Sequence, residues 1–253
     1  LPSAFTLAAF VPFVLVIAGL AILARRETGS GWVALLVVAL FAIAQGHVVE
    51  TVWWYSGSNH MWALLGLVVG LIGAGQVGVA GASLAFFGAM LAPACSAMGL
   101  IAGPAVALWA VSSRGKRGLA AAGAALLGTA AYVEVVSLIG LFGAVSDGVR
   151  RHFDPWSGLG AAVEAPAVVL IPAVFGFRDL DLRIAPEWGV AASLVFATAA
   201  LIVAARSPRP ARAAILLGLV LIFGEYAMIY PFRMRDGLAS ALRSARFHLF
   251  PQL

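Results

Sequence analysis

Residues 61 to 111 read MWALLGLVVGLIGAGQVGVAGASLAFFGAMLAPACSAMGLIAGPAVALWAV and include no Asp, Glu, Lys or Arg. Polar surface cannot cover such a run in water, whereas the hydrocarbon of a bilayer matches it. We therefore predict two membrane spans here, joined by a short turn near Gly81 or near Pro93. Six glycines predict close helix packing at the centre of the bundle: Gly66, Gly70, Gly73, Gly75, Gly78 and Gly81.

The composition of the whole chain gives the same class. Of its 253 residues, 62% are hydrophobic and 11% are charged, and the mean hydropathy is +1.01. We predict an all-α, polytopic transmembrane bundle of about eight spans over residues 1–237, followed by an interfacial amphipathic tail over residues 238–253. The predicted spans are residues 4–24, 32–54, two within 61–111, 119–145, 158–177, 188–205 and 211–230.

The charge pattern indicates the surroundings of the protein. Basic residues exceed acidic ones by five, which in a membrane protein is typical of loops that face anionic headgroups. We expect membrane lipids and no nucleic acid as partners, and a bacterial or archaeal cytoplasmic (inner) membrane as the location. In an eight-span topology Arg25 and Arg26 lie on one side and Arg114 on the other. The basic residues then divide almost evenly, so the positive-inside rule does not give the orientation.

One polar segment stands out within the predicted second span. His47 and Glu50 are three residues apart and share a helix face, and Trp54 follows at the span end. Titratable groups in an apolar interior are typical of a proton path, a quinone pocket or an ion site. A histidine satisfied by Glu50, with Glu50 near the headgroups, is the structural alternative.

Three further acids lie in predicted spans, namely Glu134, Glu164 and Glu225, and Tyr132 precedes the first of them. A charge near the hydrocarbon centre costs several kcal/mol, so these acids require a partner or a function. We predict that Glu50, Glu134 and Glu225 transfer protons. The structural alternative is a protonated acid that hydrogen-bonds between helices.

The histidines and cysteine limit metal chemistry. Bis-histidine haem needs two facing histidines from different spans, and His60, His152 and His248 lie at a span end, in a loop and in the tail, so no haem is expected. The single cysteine, Cys95, excludes an internal disulfide. Neither Ser83 nor Ser96 has a histidine at a suggestive spacing, so serine-histidine chemistry is not expected.

Two resemblances add to this interpretation. The twelve residues between His47 and His60 resemble the histidine spacing of the copper-binding subunit of membrane methane and ammonia monooxygenases, although Ile43 stands where that family has an aspartate. Gly224-Glu225 leading to Tyr230 and Phe232-Arg233, with Pro155-Trp156 opening a span, resembles the membrane anchors of polysulfide and dimethyl-sulfoxide reductases. The polar, proline-containing stretch that is usual there after the second span is missing.

The anchor resemblance implies an eight-span subunit that binds quinol without haem and passes electrons to an iron–sulfur partner subunit. The function predicted is therefore an integral membrane subunit of a respiratory or redox complex. It would bind menaquinone or ubiquinone through His47, Tyr132 and Trp54, and would not be a self-sufficient enzyme. The alternatives are a proton or small-ion transporter or channel subunit, a copper monooxygenase-like subunit with His47 and His60 as ligands, and a purely structural membrane subunit.

Overall fold

The computed structural model describes residues 2–44, 55–139 and 186–233, with a few isolated positions between 156 and 166. Within these residues the protein is all-helical, which confirms the predicted all-α class. The described α-helices are α1 (Pro2–Thr28), α2 (Gly31–Ala44), α3 (Tyr55–Ala74), α4 (Val79–Cys95), α5 (Ala102–Arg114), α6 (Leu119–Leu138), α7 (Pro186–Arg206) and α8 (Arg209–Arg233). Short 3₁₀ turns occupy Ala97–Ile101 and Gly115–Gly118.

Residues 61–111 belong to three helices instead of the two predicted spans. The chain turns after Ala74, and Gly78 adopts a φ of 89° that side chains rarely tolerate. It breaks again at Ser96, which is extended between α4 and the 3₁₀ turn. Pro93 lies in the last turn of α4 and has no N–H to donate to the Ala89 carbonyl, which weakens the end of the helix. The chain thus turns close to both predicted positions, although Gly81 itself lies inside α4.

Glycine contacts fix the relative directions of the helices. A Cβ on Gly66 would lie 2.7 Å from the Ala92 backbone nitrogen, and one on Gly73 would lie 2.6 Å from that of Ala85. Because position 66 meets the end of α4 and position 73 meets its beginning, α3 and α4 are antiparallel. This confirms that Gly66 and Gly73 allow close helix packing. Gly75 and Gly78 are instead in the turn after α3.

Helices α5 and α6 pack on this pair, and α8 packs on α5 and on the 3₁₀ turn that precedes it. Gly103 meets Thr129 and Gly118 meets Ala110, so α5 and α6 form an antiparallel hairpin. Gly224 of α8 meets Ile101 at the start of α5, whereas the earlier residues Ala213 and Leu217 of α8 join the core that α5 shares. Helix α8 therefore runs antiparallel to α5.

Basic residues collect at one end of the bundle, the cationic end. Arg114 at the end of α5 forms an ion pair with Glu27 at the end of α1, with 3.1 Å between Nη2 and Oε1. Arg26 Nη1 donates a 3.4 Å hydrogen bond to the Ile72 carbonyl at the end of α3. The directions of α7 and α8 bring their connecting turn to this end as well. The described basic residues there are Arg25, Arg26, Arg114, Lys116, Arg117, Arg206, Arg209 and Arg212.

The predicted placement of Arg114 was wrong. The alternating eight-span topology placed Arg114 opposite Arg25, but three helices between residues 55 and 114 add one reversal of the chain. That reversal returns Arg114 to the level of Glu27, where the two side chains meet.

Two helical stretches are long and apolar enough to cross a membrane by length and composition, Met98–Leu138 and Trp188–Arg206. The first contains the α5–α6 hairpin. Shorter apolar stretches lie at Gly31–Ala42 in α2, at Asn59–Ala74 in α3 and at Val79–Cys95, which is α4. Each is below the roughly 20 residues that a straight crossing of about 30 Å requires. Eight spans are therefore not established by these helices. The predicted span at 158–177, apart from isolated positions, and the predicted tail at 238–253 lie outside the described residues.

Candidate functional site

The opposite end of the bundle, the histidine end, carries a polar pair. Ser96 Oγ lies 3.0 Å from His60 Nδ1 and links the first turns of α3 to the chain just after α4. Both residues are partly buried. Because Ser96 is extended, its carbonyl accepts from the Gly99 N–H at 2.8 Å and its N–H donates to the Ala92 carbonyl at 3.1 Å. Backbone hydrogen bonds on both sides thus hold the serine in position.

The pair can move or share a proton. A hydroxyl both donates and accepts, and the two nitrogens of a neutral imidazole have opposite roles that depend on the tautomer. When Nδ1 accepts from Ser96 Oγ, Nε2 carries the hydrogen, and when Nδ1 donates, Nε2 accepts. Histidine is also the side chain whose ordinary pKa is nearest to neutral pH. The pair therefore combines a hydroxyl and an imidazole in one hydrogen bond at this end of the bundle.

Helix α8 approaches the same end. The 3₁₀ turn Ala97–Ile101 follows Ser96 directly, and a Cβ on Gly224 would meet Ile101 Cδ1. Glu225, the next residue of α8, therefore has its backbone near this turn, while its side chain lies outside the described part of the structure. Cys95 is half-buried beside Ser96.

The predicted residues of α6 occupy different faces. Tyr132 is half-buried and continues the inward-facing row Ala121, Ala125 and Gly128 of that helix. Glu134 is exposed. Two residues along an α-helix correspond to about 200° of rotation, so Tyr132 and Glu134 point to nearly opposite sides. Both lie in the half of α6 nearer the histidine end.

The polar segment of the predicted second span lies outside the described residues, so His47, Glu50 and Trp54 have no described position. The chain leaves α2 at Ala44 and enters α3 at Tyr55, five residues before His60. Glu164 is also outside the described residues.

Ser96 is the residue that sequence reasoning missed. The expectation that Ser96 has no suitable histidine was wrong, because the fold brings His60 within hydrogen-bond distance. The two residues are 36 positions apart in the sequence, so no local pattern indicated the contact. The only signal in the sequence was a serine three residues after Pro93, at the end of an apolar run. The start of α3 lies beside the end of α4 only because these two helices are adjacent and antiparallel, and the sequence does not show that arrangement.

The interior between the two ends is apolar in the described helices. The largest fully buried side chains include Met61, Leu64, Leu67 and Val106, and Ser193 is the one buried polar residue in the described set. Thr129 Oγ1 joins α6 to α4 by donating to the Ala89 carbonyl at 3.2 Å. In the described ranges, no three His, Cys, Asp or Glu side chains are grouped so that they could hold a metal ion.

Comparison with known proteins adds no relative: no protein-family model, curated protein or solved structure matches the chain.

Proposed function

We propose that the protein is a polytopic integral membrane subunit of a redox complex that binds quinone or quinol at the histidine end. The observation that supports this proposal is the His60–Ser96 pair, at 3.0 Å, at the end toward which Tyr132, Glu134 and the backbone of Glu225 also lie. About eight membrane crossings remain part of the proposal.

The outer surface supports the membrane location. Leu35, Leu36 and Leu40 of α2 are each more than half exposed, and so are Leu127 of α6 and Val195 of α7. Soluble monomers rarely expose contiguous apolar surface on this scale. Trp32 is 82% exposed near the cationic end and Trp188 is 72% exposed near the histidine end, as interfacial tryptophans would be.

The chemistry of the pair supports a quinone rather than a metal. A quinone head group accepts hydrogen bonds at its carbonyl oxygens and takes up protons when it is reduced, and a histidine-serine pair supplies both a donor and a proton relay. The chain adds His47, Glu50 and Trp54 between two helix ends, Ala44 and Tyr55, one of which begins the helix that carries His60. Electrons would come from partner subunits with iron–sulfur or other redox centres, as the resemblance to the reductase membrane anchors implies.

The described interior favours a site at one end of the bundle. Helices α3 and α4 touch backbone to backbone at Gly66 and Gly73, and the buried side chains between the ends are almost all apolar in the described helices. An ion path would require polar or titratable groups along its length. The transporter alternative depends on Glu134, Glu164 and Glu225, and of these only the Glu134 side chain is described.

Quinone content tests the proposal directly. The native complex is purified gently, its quinones are extracted and quantified, and quinol turnover is compared for Ser96→Ala, His60→Gln, His47→Ala and Glu134→Gln. We expect quinone affinity to fall about tenfold in Ser96→Ala and His60→Gln, equivalent to one lost hydrogen bond of about 1.4 kcal/mol.

Ser113→Ala is the matched control, because its hydroxyl donates to the Trp109 carbonyl at 2.6 Å near the cationic end. Its quinone affinity should equal that of the wild type. A complex without quinone, whose turnover none of the four variants changes, would refute the proposal.

A further inference from the structure

A groove lies between the end of α7 and the beginning of α8. Its volume is about 310 Å³, and its lining residues are Leu201, Ala204, Ala205, Arg212 and Leu216. Four of these five side chains are apolar. Leu201 is 51% exposed, and the adjoining Ile202 and Val203 are 48% and 54% exposed. The groove therefore continues into an apolar outer surface.

The polar wall of the groove is held rigidly. Arg212 Nε donates to the Ala204 carbonyl at 3.0 Å, and Nη2 donates to the carbonyls of Ala205 at 3.2 Å and Ser207 at 3.4 Å. These carbonyls belong to the end of α7 and the turn after it, where a cation also complements the helix dipole. Arg212 is thereby fixed at the mouth of the groove before any ligand arrives.

The charge around the groove has one sign. Residues 201–216 include Arg206, Arg209 and Arg212 and no Asp or Glu, and all three arginines are exposed. Apolar walls that end in a group of arginines are complementary to a molecule with an apolar chain and an anionic head.

We propose that this groove binds an anionic phospholipid. The phosphate pairs with the arginines of the α7–α8 turn, and the beginning of an acyl chain lies against Leu201 and Leu216. This inference rests on the membrane location proposed above but is independent of quinone binding. A free anion would use the arginines alone, whereas a phospholipid also covers the apolar walls.

The test is a titration of the detergent-purified full chain with phosphatidylglycerol, followed by native mass spectrometry, with phosphatidylcholine and excess inorganic phosphate as comparison ligands. The charge variant is Arg206→Gln/Arg209→Gln. Its matched control is Lys116→Gln/Arg117→Gln, which removes two charges at the same end outside the groove. Ala205→Trp fills the groove without changing any charge.

We expect phosphatidylglycerol to bind the wild type in preference to phosphatidylcholine. Binding should weaken about thirtyfold in Arg206→Gln/Arg209→Gln, because each basic residue next to an anionic headgroup contributes about 1 kcal/mol to the binding free energy. It should also weaken in Ala205→Trp and stay unchanged in Lys116→Gln/Arg117→Gln.

Three outcomes would overturn the proposal. Equal losses in both double variants would mean a diffuse attraction to the whole cationic end. Competition by inorganic phosphate would mean a free-anion site, and unchanged binding in Ala205→Trp would mean that the groove is not occupied. A chain recovered without membranes or detergent would instead refute the membrane location itself.

Discussion

At the scale of single residues, Arg26 and Glu27 are adjacent in the sequence but contact different helices. Arg26 covers Gly75, where a Cβ would lie 2.9 Å from its Nη1, and donates to the Ile72 carbonyl. Glu27 reaches Arg114, 87 residues further along the chain. The two side chains thus connect the end of α1 to two different helices, and the sequence shows only that an apolar segment ends there.

The Glu27–Arg114 ion pair should couple weakly but measurably. Its side chains are 16% and 34% exposed, so solvent screens part of the attraction. A double-mutant cycle with Glu27→Gln and Arg114→Gln, measured by denaturant unfolding in detergent, should give a coupling free energy of about 0.5–1 kcal/mol. Strictly additive single effects would mean that the pair contributes nothing to stability. Arg117→Gln paired with Glu27→Gln is the control and should show no coupling.

At the scale of helices, the close contact of α3 with α4 depends on glycine residues, which have no side chain. A Cβ on Gly66 would approach the Ala92 nitrogen at 2.7 Å and the Gly88 carbonyl oxygen at 2.8 Å. Both are backbone atoms, which cannot move aside as a flexible side chain can. The pair therefore has to separate when a methyl group is added.

Gly66→Ala should lower the free energy of unfolding by about 1–3 kcal/mol, the usual cost of overpacking. Gly123→Ala in α6 is the matched control, because nothing lies within 4 Å of the added Cβ. Its stability should be unchanged or higher by up to about 1 kcal/mol, since alanine favours the helix. Thermal unfolding of both variants in one detergent makes the comparison, and equal stability would contradict the close packing described here.

At the scale of the whole molecule, the described basic residues with side-chain positions gather at one end and the His60–Ser96 pair lies at the other. Basic residues near span ends are retained on the cytoplasmic side of a membrane. If the protein is inserted as proposed, we predict that the cationic end, which holds eight of the sixteen basic residues, faces the cytoplasm. The quinone site would then be on the opposite side.

Cysteine labelling tests this orientation. In a Cys95→Ala background, Lys116→Cys should react with a membrane-impermeant maleimide in inside-out vesicles, and Asn59→Cys, which is exposed near the histidine end, should react in right-side-out cells. Labelling of both positions from one side would contradict the opposite placement of the two ends. The reverse pattern would show that the orientation is inverted.

The sequence by itself determined the helical class, several helix positions and the presence of polar groups within apolar runs. Charges mark helix ends locally, as Arg25 does in the last turn of α1 and Arg206 does at the end of α7. Apolar composition is additive along the chain, so both features can be predicted without a fold. It did not determine how many helices occupy residues 61–111, because Gly81 and Pro93 marked alternative positions for one turn, whereas the chain turns both before and after α4.

Only the tertiary structure decided which ends meet. Whether Arg114 lies beside Glu27, or Ser96 beside His60, depends on the number of chain reversals between them, and one additional turn inverts the placement of every later residue. The sequence carries no local signal for such a pairing, because the contact energy arises between residues 36 or 87 positions apart. The groove beside Arg212 likewise exists only because α7 and α8 pack side by side.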